Sequence, residues 1–261
     1  MLPRGATSFR ICPWVDGKPM VDKVRKAKGW LHAPMWEEAA RSGQVLCCLI
    51  DPSDLRDVSA MCAAHPRTRV VLDHLARVGA AGDTFPHEEV SALISMAAHP
   101  NVHVKLSAAY ALGVGQPPYG DLKPLMRQLL EAFGPSRLLW GSDAPYQLGS
   151  ATDEAAIDQL YRASLDCVRA ICGTPEMARA ICGGNAERLF FFDRSIGGAG
   201  NGAAGNGAAN GNQNGLRVEG QTAGKKRSAP ADEAAALGHP ELSAVVGHLR
   251  ALIATPSVNP E

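Results

Sequence analysis

The sequence predicts an α/β fold built on a parallel sheet, and three observations point there. Short apolar runs alternate with helix-periodic stretches from residue 1 to about 193. Most of the apolar runs are continuous, as in strands covered on both faces, while Val102–Ser107 alternates apolar and polar residues. Two of them end on chemistry-bearing side chains, Asp73-His74 and Ser142-Asp143. The C-terminal ends of parallel strands are where α/β barrels keep their reactive groups.

The predicted strands are Phe9–Cys12, Val45–Ile50, Arg69–Asp73, Val102–Ser107 and Leu138–Gly141. Between them, Leu122, Leu125, Met126, Leu129, Leu130 and Phe133 fall on one helical face, and so do Ile157, Leu160, Tyr161, Leu165, Val168 and Ile171. Asp54–Cys62 and His87–Ala98 are shorter helical patterns. The order reads β-α-β-α-β-α-β-α-α.

Composition removes several function classes. The 261 residues are 46% hydrophobic with 26 basic and 26 acidic side chains, so no global charge draws the chain to nucleic acid or anionic lipid. No apolar run reaches the roughly 18 residues of a membrane span, and the N-terminus lacks a signal-peptide apolar region. The seven cysteines sit mostly in apolar runs with no Cys-x-x-Cys spacing, which reads as reduced, buried thiols in a cytoplasmic protein.

After about residue 194 the pattern changes. Residues 195–238 form a Gly/Asn/Ala-rich tract, with few apolar side chains to bury, that reads as a flexible linker. Residues 239–261 carry a single amphipathic helix pattern (Leu242, Val245, Val246, Leu249, Leu252, Ile253) closed at Thr255-Pro256. Three regions are therefore expected: 1–194, 195–238 and 239–261.

Strand alternation sorts the polar candidates. Val102, Val104 and Leu106 share one face, leaving His103, Lys105 and Ser107 on the other. Val70, Leu72 and His74 share a face, as do Leu139, Gly141 and Asp143. With Arg10 at the first strand's end, the chain offers an imidazole, a carboxylate, an ammonium and a guanidinium. Such a set suits a carboxylate-bearing small molecule, with Arg10, Lys105 and His103 contacting substrate and Asp143 and His74 doing the chemistry. A hydrogen-bonded core role for His74 and a capping role for Asp143 compete with that reading.

The same residues carry a resemblance. His74 in VVLDHLA, Lys105 in NVHVKLSAAY, the run FGPSRLLWGSDAPY and the closing GGNAERLFFF resemble the amidohydrolase-related metal-dependent hydrolases (amidohydrolase 2), in order from about residue 5 to 193. Phe9-Arg10-Ile11 resembles that family's Gly-Val-Arg strand. The resemblance implies a (β/α)8 barrel and water attack on a lactone, ester or amide carbonyl. It assigns His74 to metal or substrate and Asp143 to metal or to proton abstraction from water, with zinc or manganese as the metal. The same superfamily also contains decarboxylases, and a non-catalytic binding or assembly piece is the reading from another class. The family's opening His-x-His strand has no counterpart here, so the resemblance implies an incomplete TIM barrel, strands four to eight, with metal binding by this chain alone in doubt. Residues 240–261 more weakly resemble the start of M20-type metallopeptidases. The expected partner is a small carboxylate substrate, without nucleic acid or membrane; a homo-oligomer is left open.

Overall fold

A computed structural model describes residues 7–12, 14–15, 18–19, 31–148 and 153–192. The linker and C-terminal helix expected beyond residue 194, and the M20-like stretch, lie outside the described residues.

Five strands, β1 (Ser8–Ile11), β4 (Val45–Cys48), β5 (Arg69–Leu72), β6 (Val102–Leu106) and β7 (Leu138–Trp140), form one parallel sheet in that order. Each strand pairs with its neighbours in chain order, so β1 and β7 are the two edges among the described residues. A two-residue antiparallel pair, β2 (Trp14–Val15) with β3 (Lys18–Pro19), follows β1 and has no counterpart in the hydrophobic pattern.

The helices supply the crossovers that parallel strands require. They are α1 (Ala33–Ser42), α2 (Leu55–Ala64), α3 (His87–Ser95), α4 (Lys123–Phe133), α5 (Glu154–Arg169) and α6 (Pro175–Arg179). Their ends follow ordinary capping chemistry. Gly43 closes α1 in the left-handed region at φ 71°, where a side chain is disfavoured. The Asp153 carboxylate accepts from Ala156 N at 2.9 Å to open α5. Leu125, Met126, Leu129 and Phe133 bury the predicted face of α4.

Both faces of the sheet are covered at β4, β5 and β7, which explains why these strands read as apolar runs, whereas β6 alternates buried and half-buried residues. On one side, Val70, Leu72, Val102, Val104 and Leu106 are almost wholly inaccessible. On the other, Val45, Cys47, Val71 and Leu139 pack against Leu189, Ala186 and Phe190 from the last described turns. Asn185 fixes those turns: its Nδ2 donates to Pro135 O at 2.7 Å and to Leu138 O, the first residue of β7, at 2.8 Å. No described helix is long and apolar enough to cross a membrane.

Three neighbouring strands end in the same unusual way. β5 runs into His74, Leu75, Ala76 and Arg77 at φ 54°, 53°, 50° and 59°. Ala108 after β6 has φ 56° and Asp143 after β7 has φ 54°. None is glycine, so each position costs on the order of 1–2 kcal/mol relative to ordinary backbone. Strain of this kind gathers where side-chain direction matters more than backbone comfort.

Candidate active site

The left-handed turns decide which side chains meet. By strand alternation His74 would follow Leu72 onto the helix-covered face. The strand stops at Leu72 instead, and the reversed backbone at His74 swings the imidazole toward the ends of β6 and β7. There His74 Nε2 lies 3.5 Å from Asp143 Oδ1, both side chains largely buried. His74 Nδ1 lies 2.7 Å from Ser107 Oγ. The second Asp143 oxygen accepts from Tyr110 Oη–H at 2.7 Å.

The electrostatics favour a neutral imidazole at His74. Burial pushes the His74 pKa down, and Lys105 and Arg10 add to that, against the opposing pull of Asp143 and Asp73. Burial and the hydrogen bond to Asp143 push the Tyr110 phenol up, so it stays protonated and donates.

A second cluster lies beside the first. Asp73 is fully buried, with Lys105 Nζ at 2.5 Å from Oδ1 and Arg10 Nε at 3.0 Å from Oδ2. Two cations share one carboxylate, so the cluster keeps one positive charge, and the Arg10 side chain is 47% exposed. The predicted anchors Arg10 and Lys105 thus come together, held by Asp73.

Gly141 leaves space between the two clusters. A Cβ there would come within 3.2 Å of Lys105 Cδ and 3.3 Å of Ser107 Cβ. Since Lys105 is pinned by Asp73, it has little freedom to retreat. Gly141→Ala is expected to cost about 1 kcal/mol of stability through overpacking, read by urea denaturation. An unchanged midpoint would show that the space is slack.

His103 does not join the site. It lies on the expected face but four residues before Ser107, roughly 13 Å at strand rise. Its surroundings include Arg137 and Arg69, and its Nδ1 is buried without a hydrogen-bond partner. Alternation identifies a face, not a depth along it. Burial first, then the two arginines, push its pKa down to about 4. The unfolded imidazole titrates near 6.5, so between about pH 6.5 and 4 the unfolded chain binds the proton first. His103 therefore costs no stability above that window, and the penalty grows as pH falls through it, toward about 3 kcal/mol. His103→Leu is expected to shrink the stability difference between pH 7.5 and 4.5; an unaltered difference would contradict this.

All seven cysteines are free, and burial pushes the thiols of Cys47 and Cys167 to about 11 and those of Cys62 and Cys182 to about 12, which keeps these four protonated. A cleft of about 560 Å³ opens between Asp51, Arg77 and Glu89, but its lining includes neither His74 nor Asp143.

Comparison with known proteins adds the lineage. Residues 14–192 match the family model described as Amidohydrolase. The chain belongs to the amidohydrolase family. It is 31% identical over 177 residues to an L-fucono-1,5-lactonase of Burkholderia ambifaria, covering 64% of this chain and 58% of that one. It is 29% identical over 160 residues to a 2-pyrone-4,6-dicarbaxylate hydrolase of Comamonas testosteroni, covering 58% and 50%. A crystal structure of a Burkholderia multivorans amidohydrolase with bound zinc superposes with a TM-score of 0.55 at 26% identity, covering 72% of this chain and 66% of that one. The chain thus spans about half to three-fifths of these two curated relatives' length.

A zinc site needs at least three protein donors. His74 and Asp143 are two, and no group of three His, Cys, Asp or Glu side chains able to hold a metal occurs among the described residues. The described donor set does not fit the metal.

Proposed function

We propose that this amidohydrolase opens lactone rings of small carboxylate-bearing molecules by base-assisted hydrolysis. The observation that carries the reading is the contact between His74 and Asp143 at the ends of β5 and β7, with Arg10 and Lys105 gathered on Asp73 alongside. The imidazole–carboxylate pair takes the proton of the attacking group. Its burial strengthens both the hydrogen bonds and the charge that develops on the carbonyl oxygen. Arg10, half-exposed beside a cluster with one surplus positive charge, receives the substrate carboxylate. The names of two relatives, a sugar lactonase and a pyrone-dicarboxylate hydrolase, support a lactone as the electrophile.

On this reading residues 1–194 are one barrel-type unit, and β1, β4, β5, β6 and β7 correspond to strands four to eight of the family barrel. The parallel neighbour-to-neighbour order supports that correspondence.

The test is turnover on a panel of δ- and γ-lactones with and without a ring carboxylate, alongside aryl esters and aromatic carboxylic acids. Ring opening, fastest for the carboxylate-bearing lactones, is expected. Release of carbon dioxide from the aromatic acids without ring opening would favour a decarboxylase and overturn the proposal.

A further inference from the structure

We propose that Gln147 is a positioning residue: it clamps the left-handed turn at Asp143 onto α5 and so aims the Asp143 carboxylate. The kinetic part of the inference rests on the hydrolase reading. The structural part does not.

The chain leaves β7 at Trp140 and reaches Asp143 at φ 54°, a conformation that a residue with a side chain keeps only where its surroundings hold it. The next three residues, Ala144, Pro145 and Tyr146, are exposed, so burial on their side does little to hold the turn. Gln147 is the first buried residue after them, 3% exposed. Its backbone N–H donates to Asp143 O at 3.4 Å and closes the turn on the residue to be aimed. That bond is long, so the stronger anchor is the side chain, whose Nε2–H donates to Leu160 O at 2.7 Å. Leu160 lies inside α5, which is fixed by its buried Tyr161, Leu165 and Val168. A helix carbonyl has a second lone pair for such a donor. From the other side the Tyr110 hydroxyl donates to Asp143 Oδ2 at 2.7 Å. Gln147 thus holds Asp143 by its backbone, and Tyr110 holds it by its carboxylate.

An amide at this position does little for stability alone. Gln147 Oε1 is buried without a hydrogen-bond partner among the described residues, and such an orphan is destabilising. Methionine has nearly the same length and shape and strands no amide oxygen. Replacing the amide therefore removes one bond and one orphan together, and the two effects oppose each other. What methionine cannot do is donate to Leu160 O. The contribution of Gln147 lies in direction, where a shift of about 1 Å at a reacting group can cost on the order of 10²-fold in rate.

The experiment compares the whole 261-residue chain with Gln147→Met, by crystallography, thermal denaturation and lactone kinetics. In the wild type, Gln147 Nε2 on Leu160 O and a left-handed Asp143 are expected; either one missing overturns the proposal without any variant. In Gln147→Met, Asp143 is expected to leave the left-handed region, with its Tyr110 contact opened beyond about 3.5 Å. The thermal midpoint should stay unchanged, and kcat should fall on the order of 10-fold with KM unaltered. A purely structural role would instead lower the midpoint, and a variant that loses its fold likewise overturns the proposal. So does an Asp143 turn that keeps its wild-type geometry, or a kcat equal to that of an active wild type. If the wild type opens no lactone, the hydrolase reading falls, and the crystal comparison alone decides whether Gln147 holds the turn.

Discussion

Asp143→Asn is expected to lower lactone turnover by on the order of 10²-fold or more while leaving the fold intact. The side chains are nearly the same size, and the amide oxygen still accepts from the Tyr110 hydroxyl, so the packing around Asp143 survives. The negative charge facing His74 Nε2 at 3.5 Å does not. The imidazole then carries its proton through the reaction without electrostatic support. A loss of ground-state binding would raise KM alone; the loss expected here falls on kcat. Thermal denaturation of the two proteins checks that the fold is shared. Wild-type kcat in the variant would remove Asp143 from the chemistry.

Asp73→Ala is expected to destabilise the protein by about 3 kcal/mol, the lower end of the range for breaking a buried ion pair. The carboxylate is fully buried between Lys105 and Arg10, and its removal leaves two like charges facing each other. The exposure of Arg10 lets water relieve part of that cost, which keeps the expected loss at the lower end. Adding Lys105→Met to Asp73→Ala should recover part of the stability, because the stranded ammonium goes with its partner. Urea denaturation of the single and double variants reads both effects. A loss under about 1 kcal/mol, or no recovery, would show that Asp73 does not hold the cluster together.

The elements that declared themselves in the sequence were those with local causes. The strands at Val45, Val70 and Leu138 appear as apolar runs because both sheet faces are covered, while the strand at Val102 shows itself by alternation. The face of α4 appears as a helical repeat because Leu125, Met126, Leu129 and Phe133 all turn inward. The site was legible in its members more than in its arrangement. His74 and Asp143 stood out at strand ends, yet alternation placed His74 on the wrong face, because the left-handed turn from His74 to Arg77 has no glycine to announce it. Alternation puts His103, Lys105 and Ser107 on one face and cannot rank them by depth, which is why it does not separate His103 from the residues at the strand end. Tyr110 lies in a 3-10 turn after β6, where no periodicity operates. The shared grip of Asp73 on Arg10 and Lys105 joins three separate strand ends, and no local pattern records such a contact.

The central claim is that lactone chemistry happens where His74 and Asp143 meet, beside Arg10 and Lys105. A crystal structure of the protein with a carboxylate-bearing δ-lactam tests it most directly, since the lactam keeps the ring and carbonyl of a lactone but resists opening. The lactam carbonyl is expected beside the His74–Asp143 pair and the ring carboxylate against the Arg10 guanidinium. A lactam seated elsewhere, in the cleft beside Arg77 and Glu89 for instance, with the His74–Asp143 contact untouched, would contradict it.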